Sequence, residues 1–145
     1  MTTQSNQAVC EAYASVFSQL SPATIESFRP LVSSDIRFKD PFNDHCGFEK
    51  MANVLQDMFR HTQNPGFTVL EQDVCGDHAW LRWRFRADMP VIGAFESEGV
   101  SRIVFNADGK VCEHIDYWDS APLYMQIPLL GRLLKAIRNR MASDH

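Results

Sequence analysis

The stretch from Ala79 to Ala87 alternates between large apolar side chains and arginines, more clearly than any other part of the chain. The apolar phase and the basic phase hold three residues each: Leu81, Trp83 and Phe85 against Arg82, Arg84 and Arg86. Successive side chains of a strand point to opposite faces, so this pattern predicts a strand that buries one face only. Its basic face has to meet water, an interface, or acidic side chains on a neighbouring strand.

Four other segments are predicted as strands. An early one covers Asp35 to Phe42, and three later ones, separated by turn residues, cover Phe67 to Val74, Val91 to Asn106 and Lys110 to Asp119. The segment from Val91 is long and contains Gly93 and Gly99, which predicts a kink or bulge at one of them. Long consecutive strands of this kind pair in an antiparallel sheet.

Four segments have helical periodicity. They run from Val9 to Leu20, from Ser21 to Val32, from Phe48 to Phe59, with a stop at Asn64-Pro65-Gly66, and from Pro122 onward. Pro128 should kink the last of them, which we expect to pack on the body of the protein. A helical block followed by strands predicts an α+β fold with helices on one face, organised as a single domain over residues 1–145.

Composition and charge exclude several classes of protein. The net charge is −4, which argues against a nucleic-acid surface. No apolar run approaches the length of ~18 residues that spans a membrane, and Met1 to Gln7 lacks the features of a signal peptide. Cys10, Cys46, Cys75 and Cys112 are widely separated, so free thiols in a cytoplasmic setting are expected, with no metal site.

The segment from Pro122 to His145 differs from the rest of the chain in charge. It carries about +3 and the preceding residues about −7. A basic helix beside an apolar stripe permits peripheral contact with an anionic membrane surface, although packing on the body is the expected arrangement.

The strand from Lys110 to Asp119 places unusual groups on one face. Cys112, His114, Asp116 and Trp118 share a phase, opposite Val111, Glu113, Ile115 and Tyr117. An imidazole and a carboxylate side by side suit a pocket wall better than a plain core, and together they can act as an acid/base pair. The alternative is a structural pair, or one that faces a dimer interface.

Asp40 follows the alternating residues Ile36 and Phe38, and therefore shares their apolar face. A carboxylate on such a face has a raised pKa and can exchange a proton with a ligand. The alternative is that Asp40 accepts hydrogen bonds from backbone amides of the loop from Asn43 to Gly47.

Aromatic and sulfur-containing side chains could line a cavity next to these groups. The candidates are Phe42, Met58, Phe59, Trp83, Phe85 and Trp118. Residues of this kind more commonly form core, which is the alternative for each. His45 and Cys46 are expected at a rim or in a loop.

Three stretches carry a resemblance to a known family. They are Phe38-Lys39-Asp40-Pro41-Phe42 followed by Gly47, Phe105 to Lys110, and His114 to Asp119. With the order of predicted elements, they resemble the nuclear transport factor 2-like (NTF2-like) superfamily, which includes ketosteroid isomerase and the SnoaL-like polyketide cyclases. The resemblance implies a cone: a curved, mostly antiparallel sheet, three N-terminal helices closing its concave face, and a C-terminal helix.

The resemblance also implies roles for individual residues. Asp40 falls at the general-base position of ketosteroid isomerase, and His114, Asp116 and Trp118 fall on the cavity side of the last strand. The two oxyanion donors of that isomerase fall near Val16 and at Ser101, where neither donor is present, so Ser101 is taken as a ligand contact. Homodimers through the open sheet face are common in the superfamily and are expected here.

Two hypotheses follow. The first is a cofactor-independent acid/base enzyme, an isomerase, dehydratase or cyclase, acting on an apolar or polycyclic substrate. Asp40, His114 and Asp116 would be its catalytic groups. The second is a non-catalytic ligand-binding or dimeric assembly module, in which the same residues are structural.

Overall fold

The computed structural model describes residues 3–143; Met1, Thr2, Asp144 and His145 lie outside the described residues. The helical elements are α1 (Thr3–Ser18), a 3-10 helix (Ile25–Leu31), α2 (Phe48–His61), α3 (Ala121–Met125) and α4 (Leu130–Met141). The strands are β1 (Val32–Lys39), β2 (Asp44–Cys46), β3 (Gln63–Cys75), β4 (His78–Met89), β5 (Gly93–Phe105) and β6 (Val111–Trp118). Within this range no helix has both the length and the apolar character needed to cross a membrane.

The six strands form one curved, unclosed sheet in the order β2-β1-β6-β5-β4-β3. β1 and β6 are parallel, and every other neighbouring pair is antiparallel. The helical block from α1 to α2 covers one face. Its side chains pack against the inward side chains of the strands and form one buried core with them. The predicted α+β fold is confirmed.

The two faces of β4 differ as the alternation predicted. Leu81 and Trp83 are buried under the helices. On the outer face Arg82 and Arg84 both bond Glu98 of β5. The arginines thus find acidic partners on the neighbouring strand, as expected for a sheet face in contact with water.

The second predicted helix differs from the prediction in type and length, whereas the third ends where it was predicted to end. Thr24 and Ser21 form a turn, and the second helix is a short 3-10 helix that stops where Val32 opens β1, because Pro30 prevents a longer α-helix. α2 ends at His61, just before Asn64-Pro65-Gly66 as predicted, and these three residues themselves belong to β3, an edge strand where proline is tolerated.

The predicted C-terminal helix is two helices. It ends after Met125 and resumes at Leu130, and Leu129 between them has a φ of 69°. Pro128 therefore breaks the helix instead of kinking it, since proline cannot supply the backbone N–H that would continue the hydrogen bonding.

β5 has no bulge at Gly93 or Gly99, because β4 and β5 pair without interruption. The register does shift between β5 and β6, where Val104 pairs with Glu113 and Phe105 with Val111. The extra residue is Cys112. Because one residue is skipped, Val111 joins His114 on the buried face, contrary to the predicted phase.

Candidate functional site

A cavity of about 320 Å³ lies between the concave sheet face and the helices. Strands β1, β3, β4, β5 and β6 supply one side, and α1, α2 and α3 supply the other. Aromatic residues dominate its lining: Phe17, Phe38, Phe42, Phe67, Trp83, Phe85 and Trp118. Its carboxylates are Asp40, Asp57 and Asp116, and no lysine or arginine is among its described lining residues. Such a cavity suits a mainly apolar ligand that meets a few polar groups.

Gly99 makes the packing of the two tryptophans possible. A Cβ atom at this position would lie 2.7 Å from the Cβ of Trp118 and 2.7 Å from the indole ring of Trp83. Only a glycine backbone lets both indoles lie against β5 at this point.

Asp40 stands at the end of β1, where the chain turns out of the sheet. Its Oδ1 accepts hydrogen bonds from the backbone N–H groups of Phe42 and Asn43, at 2.8 Å each, and from Nδ2 of Asn43 at 3.0 Å. The carboxylate nevertheless lines the cavity. The two interpretations of Asp40 are therefore compatible, since the turn holds the side chain in place at the cavity wall.

The electrostatic environment of Asp40 favours its protonated form. Burial raises the pKa of Asp40, the hydrogen bonds from Phe42 and Asn43 oppose that effect, and the nearby charge of Asp116 adds to it. A carboxyl group with a raised pKa holds a proton more strongly than an exposed one and can take it from a weaker acid.

Asp116 reaches the cavity from β6 and is held from behind. Its Oδ1 accepts hydrogen bonds from the Ser101 hydroxyl and, at 2.6 Å, from Nε2 of His114. Ser101 in turn accepts a bond of 2.8 Å from the indole N–H of Trp83. Among the described residues, no group bonds the second oxygen, Oδ2, and this oxygen is free for a ligand.

His114 is fully buried behind Asp116 and is not part of the cavity wall. It lies on the helix-covered side of β6, as predicted, but the aromatic rings of Phe17 and Phe38 cover it, with ring centroids at 5.3 and 4.8 Å, so it does not reach the cavity wall. Its Nδ1 lies 2.7 Å from the hydroxyl of Tyr13.

The bond to Asp116 indicates which nitrogen of His114 carries the proton. A carboxylate oxygen accepts, so Nε2–H is the donor to Oδ1 of Asp116, and Nδ1 of the neutral imidazole is then the acceptor for the Tyr13 hydroxyl. Burial, followed by the charge of Asp116, raises the pKa of Tyr13 well above its usual value, so this hydroxyl keeps its proton. The resulting chain of donors runs from Tyr13 through His114 to Asp116, and a second one runs from Trp83 through Ser101 to the same oxygen.

The predicted ligand contacts fall into two groups. Phe42, Met58, Trp83, Phe85 and Trp118 line the cavity. Phe59 instead packs against the core, and Ser101 lies behind Asp116, so neither is among the residues that line the cavity. His45 and Cys46 belong to β2, outside the lining.

Several groups of the site were not anticipated. Asn43 could have been found from its place after Asp40-Pro41, since Asp and Asn favour such turns. His61 continues the stripe of Val54 and Met58 on α2. Tyr13 had no comparable signal, because its partner His114 is 101 positions away.

Comparison with known proteins agrees with this architecture. A family model for the SnoaL-like domain matches residues 11–114. No curated protein sequence matches the chain. A SnoaL-like protein from Jannaschia sp. CCS1 superposes with a TM-score of 0.72 at 17% identity, over 87% of this chain and 93% of its own.

Two further solved structures have the same fold. An NTF2-like protein of unknown function from Burkholderia pseudomallei K96243 has a TM-score of 0.70 at 14% identity, over 86% of this chain and 98% of its own. A protein with a ketosteroid isomerase-like fold from Catenulispora acidiphila DSM 44928, in complex with trimethylamine, has a TM-score of 0.68 at 14% identity, over 81% of this chain and 90% of its own. The chain belongs to the SnoaL-like domain family of the NTF2-like superfamily.

Proposed function

We propose that the protein is a cofactor-independent acid/base enzyme that isomerises, dehydrates or cyclises an apolar or polycyclic molecule. The observation that carries the proposal is the presence of Asp40 and Asp116 in one cavity whose walls are otherwise mainly apolar. Burial raises the pKa of Asp40, which suits a group that accepts a proton from carbon and returns it elsewhere on the same molecule.

Asp116 is the second group that touches the ligand in this proposal. Ser101 and His114 bond its Oδ1, so Oδ2 points toward the substrate with its orientation held. His114 and Tyr13 are positioning residues: they act on the substrate through Asp116 and make no contact with it. No step of the proposed chemistry requires a metal or a redox cofactor.

Asp40→Asn tests the assignment, with Asp57→Asn as the matched control. Asp57 also lines the cavity, but it is paired with Arg60 at 3.3 Å and lies more than half exposed. On a panel of polycyclic ketones, hydroxy compounds and small amines, we expect Asp40→Asn to lower turnover about 100-fold or more with binding retained. Asp57→Asn should change turnover by less than about threefold.

Ligand identified by mass spectrometry in the purified protein would supply the first members of that panel. Unchanged turnover in Asp40→Asn, with the cavity occupied, would exclude Asp40 as the proton-transfer group. Stoichiometric binding without turnover of any bound compound would support the second function, a ligand-binding module.

One observation favours that second function. The Trp83 N–H and the Ser101 hydroxyl are both directed into the hydrogen-bond chain behind Asp116. They are therefore not available to stabilise an oxyanion on the substrate, a contribution that enzymes of this kind normally need.

We also propose that two copies pair through the outer sheet face. Trp80 and Tyr117 are 40% and 52% exposed there, and their ring centroids lie 6.4 Å apart, which makes a small aromatic patch beside the charged residues. Trp80→Glu should shift the protein from dimer to monomer in sedimentation equilibrium, whereas Arg86→Glu, at the far end of β4, should shift it less. A wild-type protein that sediments as a monomer would contradict this pairing.

A further inference from the structure

The helix α4 has an apolar stripe that the described part of the chain leaves uncovered. Leu130, Leu133, Ile137 and Met141 follow one another at intervals of three and four residues, and therefore share one side of the helix. All four are exposed, Leu133 to 59% and Met141 to 82%. The stripe is a continuous surface of large apolar side chains in contact with solvent.

α4 packs chiefly on α3, and not on the body as the sequence suggested. Gly131 is the contact point: a Cβ atom there would lie 2.0 Å from the carbonyl oxygen of Met125, so only glycine allows this approach. Gly131 lies about 100° around the helix from Leu130, on a side that does not include the stripe. The close contact at Gly131 thus lies on a different side of α4 from the stripe.

Basic residues are concentrated on the same helix. α4 contains Arg132, Lys135, Arg138 and Arg140 and no acidic residue, although the protein as a whole is acidic. Arg138 is one position after Ile137 and Arg140 one position before Met141, so each arginine lies about 100° around the helix from its neighbour in the stripe, on opposite sides of it. Long basic side chains at the edge of an apolar stripe can reach phosphate groups while the stripe enters an apolar phase.

We propose that α4 docks the protein on an anionic phospholipid surface, with the stripe in the boundary between headgroups and acyl chains and with Arg138 and Arg140 at the phosphates. An anionic bilayer complements both the charge and the apolar stripe of α4. The outer sheet face of a second copy would be a less suitable partner for the basic residues of α4. Its Glu98 is already paired with Arg82 and Arg84.

The place of α4 in the fold connects this surface to the cavity. α4 is joined through α3 to β6, and Leu123 of α3 lines the cavity. Docking would hold the α3 side of the cavity near the bilayer, where apolar molecules concentrate. The proposal does not depend on whether the cavity is catalytic.

Vesicle co-sedimentation tests the proposal with the full-length protein. We expect binding to phosphatidylcholine vesicles that contain about a third phosphatidylserine, and at least about tenfold weaker binding to phosphatidylcholine alone. Leu133→Ser/Ile137→Ser should weaken binding to the anionic vesicles about tenfold or more without altering net charge. These side chains are exposed, so circular dichroism should show an unchanged fold.

Two charge variants separate docking from general attraction. Arg138→Glu/Arg140→Glu removes the arginines beside the stripe, and Arg132→Glu/Lys135→Glu makes the same charge change farther from it. We expect the first to weaken binding more than the second. Equal losses from both, or no binding of the wild type to anionic vesicles, would overturn the proposal.

A third outcome would show that a second copy of the protein, and not a bilayer, covers the apolar stripe of α4. If the wild type is a dimer without lipid and Leu133→Ser/Ile137→Ser makes it a monomer, a second copy covers the stripe and the bilayer does not. The Trp80→Glu variant distinguishes that case from pairing through the outer sheet face.

Discussion

The concave and convex faces of the sheet carry their charges in opposite ways, and β4 contributes to both. On the convex face its arginines bond Glu98 and Glu96 of β5. On the concave face Trp83 and Phe85 line a cavity in which, among the described residues, neither Asp40 nor Asp116 bonds a lysine or an arginine. The third carboxylate of the cavity, Asp57, is more than half exposed and pairs with Arg60.

The pKa values of Glu98 on the convex face and Asp40 on the concave face are shifted in opposite directions. Hydrogen bonds from Arg84 and Arg82 lower the pKa of Glu98, whereas burial raises the pKa of Asp40. Exposed ion pairs contribute little to stability, and a partly buried carboxylate without a lysine or arginine beside it has a desolvation cost that its hydrogen bonds oppose. The carboxylates of the convex face are thus stabilised by ion pairs, whereas Asp40 on the concave face keeps a raised pKa, the property on which the proposed function depends.

Among the substitutions considered for the concave face, we expect the largest loss of stability from one in the hydrogen-bond chain behind Asp116. His114→Ala would leave a void in the core and remove the partner of the buried Tyr13 hydroxyl, so we expect a loss of about 3 kcal/mol in the free energy of unfolding. His78→Ala, at a partly exposed site on the same sheet, should cost less than about 1 kcal/mol. Urea unfolding measures both, and equal effects would mean that the chain behind Asp116 is not a stabilising unit.

Gly99→Ala tests how tightly the cavity floor is packed. The added methyl group would push against Trp83 and Trp118, and we expect a loss of about 2 kcal/mol. Gly66→Ala is the control, since no atom lies within 4 Å of its added Cβ. In the same urea titration, the free energy of unfolding of Gly66→Ala should stay within about 0.5 kcal/mol of the wild-type value. If the urea midpoint of Gly99→Ala equals that of the wild type, the close packing around Gly99 is contradicted.

The smallest expected effect compares the pH dependence of the two faces. A raised pKa in the folded state means that Asp40 adds stability below its unfolded pKa and loses that contribution as pH rises through its folded pKa. For Glu98 the folded pKa is lowered, so its contribution is present above the unfolded pKa and is lost as pH falls through the folded value.

Asp40→Asn and Glu98→Gln should therefore change the pH profile in opposite directions. Relative to the wild type, Asp40→Asn should become more stable as pH rises through the acidic range, by no more than about 1.4 kcal/mol per pH unit. Glu98→Gln should become less stable over that range, by a smaller amount. Thermal unfolding at several pH values measures both, and parallel profiles would remove the electrostatic distinction between the faces.

Residues close in sequence supplied the part of this site that could be predicted. The alternation from Ala79 to Ala87 predicted both faces of β4, and the alternation through Ile36 and Phe38 predicted that Asp40 faces the apolar side. The spacing of His114 and Asp116 predicted that they bond each other. These inferences hold because side-chain direction along a strand is a local property of the backbone.

Other features had no local signal. One skipped residue at Cys112 moved Val111 to the buried face, and strand register depends on pairing with β5 and β1. The bond between Tyr13 and His114 joins residues 101 positions apart, and it requires the packing of α1 against the sheet. The outward stripe of α4 depends on a break at Pro128 and on the close approach of Gly131 to Met125.

The amino-acid order alone was therefore enough for the α+β architecture, the one-sided strands and the inward direction of Asp40, since all of these follow from periodicity within a few residues. Packing in three dimensions settled which member of the His114 and Asp116 pair reaches the cavity. It buried the imidazole under Phe17 and Phe38 and left a carboxylate oxygen exposed. That choice depends on contacts between distant segments, because burial at a site is the sum of whatever the whole fold brings next to it.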